Sequence, residues 1–151
     1  MIVAQVLTEG NADDAKTALD LIDAIDGDLS SLPADVAYDT VALYEAASAR
    51  GANVIVPPTK TAAVSRNKPR STARDQTIRR VKEVGRRRWK KESGYHRQGT
   101  VENAFFRYKS IIGEHLRARS PGGQTSEADL ACNILNQMTA LGSPASCRIG
   151  G

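Results

Sequence analysis

Three elements follow one another in the sequence SSLPADVAYDTVALYEAASARGANVIV, residues 30–56. The first nine residues are weakly strand-like, and Pro33 confines any strand there to an edge or an end of a sheet. Asp39 or Thr40 then caps a helix that stops at the next glycine. The β-branched run Asn53–Val56, closed by two prolines, is a clear strand. The stretch therefore predicts a strand, a crossover helix and a second strand of one sheet.

The same alternation extends toward the N-terminus. Ile2–Leu7 is short, β-branched and mostly apolar, which is typical of a strand. Asn11 is a candidate helix cap, and apolar side chains recur three and four residues apart after it until Gly27 ends the pattern. These side chains are Ala15, Ala18, Leu19, Ile22 and Ile25. The order strand, helix, strand, helix, strand indicates an α/β fold with crossover helices.

The alternation ends after the second of these clear strands. Residues 59–75 are polar and basic, and we expect them to form a flexible connector. Helices are predicted at 76–89, which is very basic, at 101–116 and at 127–141. The buried side of the last helix is expected to carry Leu130, Ile134, Leu135 and Met138. Residues 142–151 are expected to form a tail.

Charge is strongly segregated along the chain, whose formal net charge is +4. Residues 1–56 hold 10 acidic and 2 basic side chains, whereas residues 57–119 hold 18 basic and 5 acidic ones. An acidic segment joined to a basic one favours a partner with dense negative charge, and nucleic acid is the commonest such partner. A solvated basic face without a ligand is the alternative.

The sequence gives no sign of a membrane protein. No apolar run approaches the eighteen residues or more that a membrane span needs. The start MIVAQVLTEG lacks the basic region and the small-residue cleavage site of a secretory signal. We therefore expect no membrane partner and a cytoplasmic location.

Two acidic residues are candidate metal ligands. Asp35 follows a predicted strand at the end where open α/β sheets place binding side chains. Glu102 stands at the start of the helix predicted at 101–116. Because Mg²⁺ needs only one or two protein carboxylates beside water and phosphate oxygens, these two could converge on it. The alternatives are a solvated loop residue at Asp35 and a first-turn residue favoured by the helix dipole at Glu102.

The segment SGYHRQGTVENAFFRYKSIIG, residues 93–113, resembles the signature of bacterial insertion-sequence transposases of the DDE type. Tyr95 precedes Glu102 by seven residues and Lys109 follows it by seven, which predicts Glu102 and Lys109 on the same side of one helix. The string ADVAYDT, residues 34–40, is similar to the second-Asp motif of that family. The strings GRRRWKKESGYHR and LNQMTALGSP complete the likeness.

The sequence departs from the family pattern at two motif positions and at its front. Val36 occupies the customary glycine of the second-Asp motif, and the arginine of the signature, Arg97, follows Tyr95 by two residues rather than three. The resemblance implies a ribonuclease H-like fold, of which residues 1–141 would be the C-terminal part. They would hold the third to fifth strands with their crossover helices, followed by the C-terminal helices. The strand with the first catalytic Asp would precede residue 1.

The resemblance also implies a reaction, namely phosphoryl transfer at transposon ends and target DNA. In it Mg²⁺ or Mn²⁺ held by three carboxylates activates the attacking oxygen, and Asp35 and Glu102 would be two of those ligands. Tyr95, Arg97 and Lys109 would bind DNA phosphates near the scissile bond. Further backbone contacts are expected from Arg79, Arg80, Arg86, Arg87, Arg88, Lys90 and Lys91. The place of action would be the bacterial nucleoid.

Without the first Asp, we expect the chain alone to be an inactive fragment that still binds DNA. A non-catalytic basic DNA-binding module and one half of a split or frameshifted transposase, completed by an N-terminal half, are the alternatives. A sheet without its neighbouring strand is expected to leave Ile2–Leu7 displaced or paired with the strand before Asp35, and to promote self-association. Asp39 is expected to cap a helix rather than to supply the third ligand.

Overall fold

The structure, a computed structural model, describes residues 1–8, 12–66 and 72–142, without the side chains of Arg97 and Gln98. The chain divides into two compact units, which are described separately below. One is Thr8–Glu102, and the other combines Met1–Leu7 with Asn103–Gly151. The first contains α1 (Asp14–Ala24), β1 (Ser31–Pro33), α2 (Val41–Ala49), β2 (Asn53–Ile55), α3 (Thr72–Val84) and α4 (Arg86–Glu92). Helix α5 (Gly99–Arg107) begins at the end of this unit, and α6 (Pro121–Ala140) belongs to the other.

Strands β1 and β2 pair in parallel, with Leu32 opposite Val54, and α2 is the crossover between them. The Asn53 N–H donates to the Ser30 carbonyl, and the Ala34 N–H donates to the Ile55 carbonyl. The strand, helix and strand predicted from residues 30–56 are therefore confirmed. Because the strands are parallel, their carboxyl ends share one edge of the sheet, and Asp35 follows β1 at that edge.

The core of the Thr8–Glu102 unit forms where α1 and α2 cover the sheet. Its buried residues are Ile22, Leu43, Tyr44, Ala47, Ala52, Val54 and Val56. The Tyr44 hydroxyl donates to the Val56 carbonyl at 3.2 Å, and burial raises the pKa of Tyr44 to about 12. Ala18, Leu19 and Ile22 pack into this core, which confirms the predicted apolar face of α1 for three of its five residues.

The cap of α1 differs from the prediction. Asp13 is the N-cap, because its carboxylate accepts hydrogen bonds from the Ala15 and Lys16 N–H groups. The predicted cap, Asn11, lies outside the described residues. An aspartate at this position satisfies two N–H groups of the first turn that would otherwise lack a partner.

The prediction of a single basic helix at 76–89 is wrong in two respects: the helix starts earlier, and it is interrupted. Helix α3 begins at Thr72, inside the predicted connector, and ends at Val84. Gly85 then adopts φ +80 and ψ 152, a conformation that few residues other than glycine reach, and α4 starts at the next residue. The buried Asp75 anchors α3, because its Oδ1 accepts from the Ser65 N–H at 2.9 Å.

The unit of Met1–Leu7 with Asn103–Gly151 contains helices and no strand among its described residues. After α5, the chain makes a π-helical turn at Tyr108–Ile112. This helical segment ends at Gly113, three residues before the predicted end of the helix. Helix α6 starts six residues before the predicted position. Ser120 caps it by accepting the Gly123 N–H, and Pro121 occupies its first turn, where a missing N–H costs nothing.

The buried face of α6 is also different from the predicted one. Ala128, Ala131 and Leu135 are buried. Leu130 is 61% exposed, and Ile134 and Met138 are also exposed, so Leu135 alone among the four predicted residues is correct. Small alanines permit close packing along a face that hydrophobicity alone does not mark. Leu130, Ile134 and Met138 therefore lie at the surface of α6.

The strand predicted at Ile2–Leu7 is wrong. The Ile2 N–H donates to Asn136 Oδ1 at 2.6 Å, and Asn136 Nδ2 donates to the Ile2 carbonyl at 2.7 Å. An α6 amide thus pairs with the backbone groups that a neighbouring strand would have used. Of the two expected outcomes for Ile2–Leu7, displacement is the observed one. The fold is a mixed, helix-rich α/β structure with a small parallel sheet of two strands in the described residues.

Candidate functional site

Asp35 marks the carboxyl edge of the sheet. It follows β1 and caps a short 3₁₀ turn at Val36–Tyr38, its Oδ1 accepting from the Ala37 N–H at 2.8 Å. The string ADVAYDT thus encodes a strand end, an aspartate cap and a turn. The side chain of Asp35 remains exposed, so its carboxylate can bind a ligand at this edge.

Tyr95 and Glu102 belong to the same compact unit as Asp35, and the turn that Tyr95 opens packs against β1. Tyr95 opens a 3₁₀ turn, Tyr95–Gln98, and Glu102 lies in the first turn of α5 directly after it. Burial raises the pKa of the Tyr95 phenol, and the negative charges of Asp35 and Glu102 raise it further, whereas Arg86 lowers it. The charges of Asp35, Glu102 and Arg86 therefore all act on the phenol of Tyr95.

The donor set of Asp35 and Glu102 suits a hard divalent cation. Both carboxylates are exposed, and Mg²⁺ keeps most of its water when it binds to one or two protein carboxylates. In the described part of the chain, no group of three or more His, Cys, Asp or Glu side chains could hold a metal ion. Asp35 and Glu102 as a pair of metal ligands therefore stay a prediction.

Asp39 is neither the helix cap nor part of this pair. Thr40 caps α2, its Oγ1 accepting from the Leu43 N–H at 3.3 Å. The carboxylate of Asp39 is buried, forms an ion pair with Arg74 and accepts from the Thr59 N–H at 2.8 Å. Sequence reasoning missed this role, because Arg74 belongs to the segment predicted as a flexible connector.

The basic side chains of α3 and α4 divide into two groups. Several have partners inside the protein: Arg80 and Arg88 pair with Glu92, and Arg86 donates to the Pro58 carbonyl at 2.6 Å. The Arg80 and Arg88 guanidinium groups lower the pKa of Glu92. Arg79, Arg87 and Lys91 are exposed and make no hydrogen bond or ion pair within the described residues.

Lys90 belongs to the group with internal partners. Its Nζ lies 4.5 Å from the centroid of the Tyr95 ring. Trp89, the preceding residue, is buried, and its ring centroid lies 6.3 Å from that of Tyr95. Two residues of α4 therefore contact the tyrosine of the site.

The remaining predicted residues are less closely defined. The side chain of Arg97 lies outside the described residues. Lys109 is exposed in the π-helical turn of the other unit, beyond the last α-helical residue, Arg107. The expectation that Lys109 shares a helix side with Glu102 assumed α-helical spacing throughout, and it stays a prediction.

A family profile described as the transposase DDE domain matches residues 1–137 of the 151. The chain belongs to the DDE transposase family. DDE transposases act on DNA and typically use a divalent metal. No solved structure matches the chain. None of the helices that the structure describes in this DDE transposase chain is long and apolar enough to span a membrane.

Proposed function

We propose that this chain supplies two of the three carboxylates of a DDE transposase metal site, Asp35 and Glu102, together with the DNA-binding residues around them. The observation that carries the proposal is electrostatic. Asp35 and Glu102 are 67 residues apart in sequence, yet both act on the phenol of Tyr95 within one compact unit. The resemblance to the family signature and this shared effect on Tyr95 both support the proposal.

Each residue of the site has a distinct chemical role in this proposal. A bound divalent cation would supply Lewis acidity for attack on the DNA phosphate. Asp35 and Glu102 would hold it through oxygen ligands. The phenol of Tyr95, which like any phenol is protonated at neutral pH, would donate a hydrogen bond to a phosphate oxygen. Arg97 and Lys109 would bind neighbouring phosphates, as the family resemblance implies.

Basic residues that have no partner inside the protein would contact the DNA backbone away from the site. Arg79, Arg87 and Lys91 are exposed cations of this kind in the described part of the chain. Such contacts neutralise phosphates without reading sequence. We therefore propose DNA binding that is non-specific and strongly dependent on salt, at transposon ends and target DNA in the bacterial nucleoid.

The third carboxylate would come from a polypeptide segment outside this chain, on the first strand of a ribonuclease H-like fold. In that arrangement the chain is inactive alone, whether as a fragment or as one half of a split transposase. Self-association also stays a prediction, since a second polypeptide would complete the sheet.

A cleavage assay tests this proposal. The chain with Mg²⁺ or Mn²⁺ should leave duplex DNA intact, and addition of a polypeptide that carries the preceding strands should restore cleavage. Asp35→Asn and Glu102→Gln should each abolish the restored activity. Metal-dependent cleavage by the chain alone, lost in Asp35→Asn, would show that the third acid lies within this chain. Restored cleavage that survives both substitutions would refute the assignment of the ligands.

The second candidate is a non-catalytic, basic DNA-binding module, favoured by the exposed cations Arg79, Arg87 and Lys91. A module of this kind binds DNA equally well with and without divalent metal at constant ionic strength. The transposase proposal instead predicts tighter binding of DNA when the metal is present, because the cation bridges carboxylates and phosphate. This comparison separates the two functions without an activity assay.

A further inference from the structure

Lys90 and Lys91 are consecutive lysines of α4 that face different surroundings. The ammonium of Lys90 lies over the ring of Tyr95, and the residue is half-buried. Lys91 is exposed, and among the described residues it makes no hydrogen bond or ion pair. Successive side chains on an α-helix point about 100° apart, so two neighbours of identical chemistry can serve different purposes.

The contact between Lys90 and Tyr95 is part of a small cluster. Trp89 is 5% exposed and fixes α4 to the rest of its unit. Its ring meets that of Tyr95 at an interplanar angle of 41°, and Lys90 sits over the same tyrosine ring. A cation over an aromatic face contributes roughly 0.5–1 kcal/mol at exposed sites and more where water is excluded. The ring of Tyr95 is therefore held from two sides.

The turn that Tyr95 opens, Tyr95–Gln98, packs against β1, the strand that Asp35 follows. Burial raises the pKa of the Tyr95 phenol, and the charges of Asp35 and Glu102 raise it further. The ring thus contacts α4, while its turn contacts the strand before Asp35. A change in the ring's packing would move the hydroxyl relative to Asp35 and Glu102.

We propose that Lys90 is a positioning residue, which holds the Tyr95 ring against Trp89 so that the tyrosine hydroxyl stays beside Asp35 and Glu102, and which does not contact a DNA phosphate. The purpose of this positioning, which is to serve a metal site, rests on the proposed function. It changes the role expected for Lys90 from the sequence, where it was grouped with Lys91 as a backbone contact. Lys91 keeps that expected role.

A spectroscopic experiment tests the contact without DNA. Trp89 is the sole tryptophan of the sequence, so the tryptophan bands of the near-ultraviolet circular dichroism spectrum report on its surroundings. Tyr95→Leu removes the ring and defines the spectrum of an uncoupled Trp89. Lys90→Met should shift the spectrum toward that reference, Lys90→Arg should restore the wild-type spectrum because arginine keeps a cation over the ring, and Lys91→Met should leave it unchanged.

A salt titration of DNA binding supplies the second readout. Each neutralised phosphate on duplex DNA adds about 0.9 to the slope of log K against log salt. Lys91→Met should lower the slope by about 0.9, whereas Lys90→Met should leave the slope unchanged. Far-ultraviolet circular dichroism checks that the variants are folded. If Lys90→Met does not fold, the Lys90→Arg variant still decides the test.

The possible outcomes separate the positioning role from the proposed function. A wild-type spectrum in Lys90→Met, or a spectrum of Lys90→Arg that matches Tyr95→Leu, would overturn the proposal. So would a loss of about 0.9 in the salt slope on Lys90→Met, since that is the signature of a phosphate contact. If the wild-type chain bound no DNA, the proposed function would fail, and the spectra would still decide whether Lys90 holds Tyr95.

Discussion

Arg74 of α3 donates two hydrogen bonds to the carboxylate of Asp39, from Nε to Oδ1 at 2.8 Å and from Nη2 to Oδ2 at 3.0 Å. The Asp39 side chain is fully buried and that of Arg74 is 14% exposed. The Thr59 N–H completes the coordination of the carboxylate. This bidentate pair ties the start of α3 to the residues before α2 and after β2.

Substitution of one partner of this pair should strongly destabilise the protein. Asp39→Asn keeps the size of the side chain but leaves the Arg74 guanidinium buried without its counter-charge. Loss of one partner of a buried ion pair costs about 3–5 kcal/mol. Urea denaturation measures the change in the free energy of unfolding. Arg79→Met, an exposed arginine of the same helix, is the matched control and should change it by less than about 0.5 kcal/mol.

Equal stabilities of Asp39→Asn and wild type would contradict the structural role of Asp39. In that case Asp39 would again be a candidate for the third metal ligand. A lower stability of Asp39→Asn combined with unchanged metal binding is the result that the structure predicts.

The stability of the protein should fall at high pH because of Tyr44. Its pKa rises from 10.0 to about 12 on folding, so the folded state holds this proton more tightly than the unfolded state. The contribution of Tyr44 to the free energy of unfolding is complete below the pKa that Tyr44 has in the unfolded state. It is lost as the pH rises from 10 to about 12. Two pKa units correspond to roughly 3 kcal/mol. The measurement is the free energy of unfolding in urea at about pH 9 and about pH 12.

Tyr44→Phe is the control for this pH dependence. It lacks the titrating hydroxyl, so most of the decline between these two pH values should disappear. The variant also loses the hydrogen bond to the Val56 carbonyl, which lowers its stability at both pH values. An equally steep decline in Tyr44→Phe would show that another group is responsible.

Gly85 should resist substitution because of its backbone conformation. Its φ of +80 and ψ of 152 lie in a region that costs a residue with a Cβ about 1–3 kcal/mol. Gly85→Ala should therefore lower the free energy of unfolding by that amount or fuse α3 with α4. Gly99→Ala is the control, because Gly99 opens α5 and nothing lies near an added Cβ. A neutral Gly85→Ala variant would mean that the break between the helices is not set by this residue.

How far the sequence predicts the fold is clearest at residues 30–56 and at Gly85. The strand, helix and strand of 30–56 were predictable because caps, prolines and apolar runs mark each boundary locally. The break at Gly85 was not, because the thin apolar stripe of the basic segment continues through it on both sides. The strand propensity of Ile2–Leu7 does not predict whether a partner strand is present. In the structure, the side chain of Asn136 binds the backbone of Ile2 instead of a partner strand.

The candidate site was predicted by a different route. Asp35 and Glu102 came from motifs of a family, and their spacing in sequence gives no distance between them. Arg74 and Lys90 could not be assigned in the same way. Their partners, Asp39 and Tyr95, are set by how α3 and α4 pack, which depends on contacts that no local pattern records.

The basic surface should bind DNA through exposed cations. Replacement of Arg86, Arg87 and Arg88 together with Ala should flatten the dependence of log K on log salt, and Arg87→Ala alone should lower the slope by about 0.9. Lys16→Ala removes one exposed cation from the acidic segment and is the charge-matched control. Identical slopes for the triple variant and the wild type would contradict contact between this surface and phosphate.

The central claim is that Asp35 and Glu102 bind one divalent cation together, and Mn²⁺ binding measured by electron paramagnetic resonance tests it most directly. Asp35→Asn can still accept the Ala37 N–H, so it removes a ligand charge without removing the cap. Changes around metal ligands already cost about 10–100-fold in affinity, so Asp35→Asn and Glu102→Gln should each weaken Mn²⁺ binding about tenfold or more. Asp28→Asn, an exposed aspartate of the same unit, should bind Mn²⁺ like the wild type. Equal affinity for Mn²⁺ in all four proteins would contradict the account.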